Sequence, residues 1–335
     1  MWAILVIILL FTAWFQISIM WKYSTDREDI SFLYLDGHRV LFGENPYVRV
    51  LEGDMRDNNK YTTYFPAFIE LSFVTQRYYF REYGVWLALW RWIFLLCYLG
   101  MIILLFWWGK SVQAPLLAIF SALLWTFNRW TLYLQQVSGM DILPIFCLLI
   151  SLYLLTRKHA LARWGSWAFF GLSLALKQIA IFLFPLYLIY EYHRAENHKL
   201  RQVLVCAASI VAIPLLSSLP FMVQNLNGFL LSILFSLTRS SQQFPPSALS
   251  LDMFLGLADL PARIPMIVLM LAIYAAAWQY ANRVKINTSS MLIFLIFVSF
   301  NPILFNQYVP WFILLIPLAL FEWMTTEKVG ETAEY

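Results

Sequence analysis

The sequence predicts an all-α polytopic membrane protein of about ten transmembrane helices, folded as one unit over 1–335, with a structured first outer loop. Three observations predict it. Of 335 residues, 61% are hydrophobic and 13% charged, whereas soluble domains carry roughly a quarter charged residues. Mean hydropathy is +0.68. Apolar runs near crossing length alternate with short basic turns, the pattern that places chain segments across a bilayer. The aromatic share, 18% with 15 Trp, suits rings set at bilayer interfaces. A net charge of +4 is small and carries no nucleic-acid signal. Cys97, Cys147 and Cys206 all lie in apolar runs, which makes them small core residues rather than a disulfide framework.

The first run, MWAILVIILLFTAWFQISIMW, lacks a basic leader and a small-residue cleavage pattern, so it reads as a retained span. A first outer loop over 23–83 follows and holds the densest group of ionisable side chains. Within it, ISFLYLDGHRVLF reads as a helix, and Gly43, Pro46 and Tyr47 as the turn that ends it. AFIELSFVTQRYYF is too short to cross and is expected at the interface. Further runs cover 85–108, 115–127 and 142–155. WGSWAFFGLSLALKQIAIFLFPLYLIYEY reads as two short helices with Lys177 between them. A run at 203–219 precedes a second outer loop over 220–262, and runs at 264–280, 291–304 and 309–321 complete the chain.

Charge sets the orientation. The loops at Lys110, 157–163, 194–201 and 283–285 hold nine Lys or Arg against one acid, Glu196. By the positive-inside rule these loops and both termini are cytoplasmic. The first outer loop, the QQVSGMD turn, Lys177, the Arg239–Asp252 stretch and the FNQY turn then share the extracytoplasmic side. Polar groups near membrane depth are costly and mark sites, so their shared side predicts one cavity there.

Asp29 stands where the first span meets the loop, beside Asp26 and Glu28. A carboxylate there can serve as a general base toward a hydroxyl, or these acids can simply cap the helix that follows. Lys177, flanked by apolar half-spans, needs an anion; a lipid phosphate is one, Asp141 another, and snorkelling to the interface a third solution. Arg239 is a second phosphate candidate or a solubilising loop residue. Tyr64 offers an aromatic platform for a sugar or a re-entry point. Gln136 and Gln307 can hydrogen-bond hydroxyls or satisfy helix ends. His159, His193 and His198 fall on the cytoplasmic side, and no metal site follows from them.

The order Asp29, then Gly43, Pro46 and Tyr47, then YTTYFPAF resembles the first outer loop of polyprenyl-phosphate-dependent mannosyltransferases of the GT-C superfamily. The nearest likenesses are bacterial enzymes that elongate lipid-linked mannosides and the first GPI-anchor mannosyltransferase. LYLQQVSGMDILPIFCLLISLYLL and GLSLALKQIAIFLFPLYL resemble their glutamine turn and Gly…Leu-Lys segment, and FNQYVPWFILLIPLALF their late Gln-Tyr…Trp…Leu-Pro span. The likeness covers about two-thirds of the chain in matching order. It implies a GT-C-like bundle with Asp29 catalytic and Tyr64, Gln136, Lys177 and Gln307 toward the substrates; Asp26, Glu28 and Arg239 match no family position and are expected toward the substrates from their own charge. Arg27 stands where the GPI enzyme has the first Asp of a D-x-D pair, which leaves a divalent metal an open cofactor. No histidine accompanies Gln307, so a histidine role does not transfer.

The expected activity is inverting transfer of mannose, or a related hexose, from a polyprenyl-phosphate sugar to a glycolipid or glycan acceptor at the outer face. The partners are then that donor, that acceptor and membrane lipids. A transporter or flippase for a lipid-linked sugar is the main alternative, and a scaffolding subunit a third. The absence of an internal repeat weighs against the transporter.

Overall fold

A computed structural model describes residues 1–25, 28–53, 61–238, 251–257, 259–280, 285–301 and 304–331. Its helices in chain order are α1 (Trp2–Met20), α2 (Asp29–Leu41), α3 (Ala67–Tyr78), α4 (Tyr83–Ser111), α5 (Pro115–Phe127), α6 (Arg129–Gln136), α7 (Ile142–Leu155) and α8 (Ala160–Leu176). They continue as α9 (Phe184–Arg194), α10 (Lys199–Gln224), α11 (Leu226–Thr238), α12 (Leu251–Phe254), α13 (Asp259–Gln279), α14 (Ile286–Phe300) and α15 (Val309–Glu331). Short 3-10 segments lie at Pro46–Leu51, Gln178–Leu183 and Asn306–Tyr308.

The protein is membrane-embedded, and the regular elements of its described residues are all helical. Among the described residues, five helical segments are long and apolar enough to cross: Trp2–Met20, Tyr83–Ser111, Lys199–Gln224, Pro261–Gln279 and Asn306–Thr325. Pro115–Phe127, Ile142–Leu155, Leu226–Phe235 and Ile286–Phe300 are apolar but shorter. At about 1.5 Å per residue, a 13–15-residue helix reaches about 20 Å, short of an unaided crossing. The expected run at 85–108 lengthens to Tyr83–Ser111. The region read as a second outer loop over 220–262 opens with a helix instead, because NGFLLSILFSL after Asn225 continues the apolar pattern.

Backbone contacts explain the packing. A Cβ on Gly171 would lie 2.6 Å from the Ile210 carbonyl oxygen, so α8 and α10 cross with backbones nearly touching. A Cβ on Gly37 would lie 2.4 Å from Ser72 Oγ, and this pairs α2 with α3 into a two-helix layer. Gln76 of α3 donates to the Tyr34 carbonyl of α2 at 2.9 Å. Gly43, at φ +82, ends α2 in the left-handed conformation glycine tolerates. Tyr98 of α4 donates to the Trp125 carbonyl at 2.7 Å, and Asn128 caps the next helix by accepting from the Trp130 amide at 3.0 Å.

α1 and α4 run antiparallel. Lys110 sits 4.1 Å over the Trp2 ring at one end, and Arg91 sits 5.0 Å over the Trp21 ring at the other.

Candidate functional site

Asp29 is the first residue of α2, where a carboxylate is favoured by the unpaired amides of the helix start. Glu28 occupies the cap position without a capping hydrogen bond from its side chain. The capping alternative is therefore not what the Glu28 side chain does.

Two distant segments reach Asp29. Tyr64 donates its hydroxyl to Asp29 Oδ2 at 2.8 Å, and Gln307 Nε2 donates to the same oxygen at 3.2 Å. Both bonds have ordinary lengths. They connect the start of α2 and the segment before α3 to the turn Asn306–Tyr308 near the far end of the chain.

Tyr64 is placed by its own backbone. The irregular segment between Tyr61 and Phe65 has three successive carbonyls held by side chains of different elements. Ser232 of α11 donates to the Thr62 carbonyl. Gln178 Nε2 donates to the Thr63 carbonyl at 2.5 Å. Tyr47 donates to the Tyr64 carbonyl at 2.7 Å. Burial pushes the Tyr47 hydroxyl well above its usual range, so it stays a donor at any physiological pH. The segment acts as a strap, because ordering it costs backbone entropy that these bonds offset.

Lys177 lies beneath the strap. The α8 helix breaks there, with Lys177 extended at φ −155 and ψ 124. Its Nζ meets Asp141 Oδ2 at 2.6 Å, with side-chain exposures of 1% and 0%. Trp311 Nε1 donates to the other Asp141 oxygen at 2.8 Å. The ammonium lies 4.9 Å from the Tyr64 ring centroid and 5.7 Å from that of Tyr308, a cation–π arrangement. Of the alternatives the sequence left open, the chain has taken the protein carboxylate. Dislodging the ammonium from Asp141 would strand a buried charge, a loss of several kcal/mol.

The structure brings Asp29, Tyr64, Gln307 and Lys177 into one connected constellation, with Asp141, Trp311 and Tyr308 completing it. Glu28 stands half-buried at its edge, within electrostatic reach of Tyr133. Burial pushes the Tyr133 hydroxyl up, and then Glu28 and Asp141 add to the rise. Gln136 is half-buried at the end of α6, the helix that packs on the turn carrying Gln307, and no hydrogen bond joins its side chain to the constellation. Asp26 and Arg239 lie outside the described residues. Among the described residues no three His, Cys, Asp or Glu converge as a metal site would need.

Tyr308 and Trp311 entered the sequence reading only within the late Gln-Tyr…Trp…Leu-Pro likeness and were not named as site residues, because aromatic residues in a late span look like interface belt. Asp141 was legible only as a possible mate for Lys177, since the two stand 36 residues apart. No protein-family model, curated protein or solved structure matches the chain.

Proposed function

We propose that the protein is an inverting glycosyltransferase that moves mannose, or a related hexose, from a polyprenyl phosphate to a glycolipid or glycan acceptor. One observation carries the reading: a helix-start carboxylate, Asp29, is oriented by hydrogen-bond donors drawn from two remote segments. Orienting a carboxylate with fixed donors is what a general base requires. In this reading the acceptor hydroxyl attacks the anomeric carbon while Asp29 takes its proton. The anomeric carbon–phosphate oxygen bond breaks with its electron pair leaving on the phosphate. Tyr64 and Gln307 hold the carboxylate at the reacting oxygen, and Lys177 with Asp141 keeps the floor of the site in place.

The topology proposed with it has about ten crossings, both termini cytoplasmic, and Asp29 on the extracytoplasmic side. The asymmetry of Lys and Arg supports it. Cysteine accessibility at positions 58 and 197 tests it, with reaction expected from opposite sides.

The activity test is product analysis. Purified protein is incubated with radiolabelled polyprenyl-phosphate-mannose and a panel of glycolipid acceptors, and wild type is compared with Asp29→Asn. A labelled glycolipid formed by wild type and missing from Asp29→Asn supports the reading; label that stays on the donor with every acceptor overturns it. The buried Lys177–Asp141 pair favours a second reading, a transporter of the lipid-linked sugar, since buried ion pairs also mark translocation paths. Movement of the labelled donor across vesicles without new glycolipid would select it.

A further inference from the structure

With Lys177 committed to Asp141, the cation for a substrate phosphate must be sought elsewhere, and one buried guanidinium stands out. Arg91 of α4 is 6% exposed. Its Nε donates to Ser138 Oγ at 3.0 Å, and Nη2 donates to the Tyr23 carbonyl at 3.1 Å. No carboxylate pairs with it among the described residues. An arginine keeps its charge under all ordinary conditions, and a guanidinium held only by neutral acceptors and the Trp21 ring still favours an anion. Ser138 is 1% exposed and held at φ +53 in the turn that leads to Asp141. Its oxygen accepts from Arg91, which leaves its own O–H to donate.

Depth points to the same ligand. Nineteen residues separate Arg91 from Lys110 along one helix, a rise of about 28 Å. The hydrocarbon core of a bilayer is about 30 Å thick. With Lys110 and the Trp2 ring at one boundary, Arg91 and the Trp21 ring stand at the other. Lipid phosphates occupy that level. The flank is apolar: Ile7, Leu10, Trp14 and Trp21 of the first span and the residue after it are exposed and offer a surface for a lipid chain. On the inner side, Ser138 leads within three residues to Asp141 and so to Lys177 and Tyr64, the floor of the Asp29 site.

We infer that Arg91 and Ser138 bind a lipid-borne phosphate at the outer membrane boundary, the phosphate of the polyprenyl donor. This rests on the transferase reading for the donor's identity. Arg91 and Ser138 would both hydrogen-bond the phosphate oxygens, with the sugar directed toward Asp29 and the chain lying along α1.

The test uses the full chain in neutral detergent, with farnesyl phosphate titrated by thermophoresis. Arg91→Gln is expected to weaken binding about tenfold or more, the effect of a lost charge-assisted contact, and Ser138→Ala about threefold. Farnesol should bind equally weakly to wild type and Arg91→Gln, because it lacks the phosphate. Inorganic phosphate should bind far more weakly than farnesyl phosphate, since the lipid chain contributes; equal affinity would overturn the lipid assignment. Unchanged farnesyl phosphate affinity in Arg91→Gln would overturn the site. If that variant does not fold, unchanged affinity in Ser138→Ala overturns it instead. Asp26→Asn should leave the Arg91 dependence intact; a dependence that vanishes with Asp26 would make Asp26 the counter-anion and overturn the proposal. Wild type that binds farnesyl phosphate through Arg91 yet forms no glycolipid sinks only the transferase. Glycolipid formed by a chain whose Arg91→Gln variant keeps wild-type affinity sinks only this site.

Discussion

Asp29 and Asp36 lie two turns apart on the same face of α2, and the same strap serves both. Asp36 is 3% exposed and carries its own cation, Arg39, one turn along at 2.5 Å, with Thr62 donating to its other oxygen. Burial pushes the Asp36 carboxyl up, and the Thr62 hydrogen bond and Arg39 oppose the rise. Asp29 is only half-buried, and Tyr64 and Gln307 reach it from 35 and 278 residues away. One carboxylate is a local anchor that holds α2 to the strap. The other is held from a distance and keeps access to solvent. Both stand on one helix; what each one touches separates them.

The largest expected difference lies in catalysis. Asp29→Asn should reduce transfer by about 10² to 10⁴-fold, as loss of a general base does, while the melting temperature in detergent changes little. Asp36→Asn should do the reverse, lowering stability by about 1–3 kcal/mol through lost hydrogen bonds with transfer largely retained. Equal losses of activity in the two variants would erase the distinction between base and anchor.

The floor of the site sharpens it next. Lys177→Met should destabilise by about 3–5 kcal/mol, because Asp141 is left buried and unpaired by the ammonium. Lys177→Met with Asp141→Leu should recover much of that stability. Thermal unfolding of the single and double variants checks this, and a double variant no better than the single would show that the pair is not one unit.

Tyr64→Phe removes the hydroxyl on Asp29 and leaves the ring over Lys177. It should lower kcat about tenfold, the order of one hydrogen bond to a charged group, with a nearly unchanged melting temperature. A drop in stability without a drop in kcat would make Tyr64 a strap residue like Thr62.

The smallest effect concerns pH. Glu70, on α3 beside the strap, has its carboxyl pushed up by burial from 4.5 to about 7. Its raised value means the folded protein holds that proton more tightly than the unfolded chain. The resulting stabilisation is complete below pH 4.5 and fades as pH rises through about 7. Its partial exposure limits the effect to under about 1 kcal/mol. Glu70→Gln should flatten the pH dependence of the melting temperature over that window; an identical slope in both proteins would remove Glu70 from the account.

Much of the element order was legible because polarity interrupts apolar runs only where the chain must turn. The α2 helix, the run Ile142–Leu155 and the break at Lys177 fall where the residues predict them. Asp29, Tyr64, Lys177 and Gln307 were each nameable as polar groups beside apolar spans, where such groups are costly. That they share one cavity was expected from their common side; which of them touch was not. Inside a bilayer both the lipid-facing and the protein-facing sides of a span are apolar, so periodicity cannot say which neighbour a side chain meets. The sequence by itself determined an apolar, helical, membrane-embedded chain with its reactive-looking groups at span ends. Only the tertiary structure decided that Gln307 reaches Asp29, that Asp141 and Trp311 claim Lys177, and that Arg91 is left buried without a carboxylate among the described residues. Those choices depend on which helices pack together, and packing between apolar surfaces is set by shape rather than by polarity pattern.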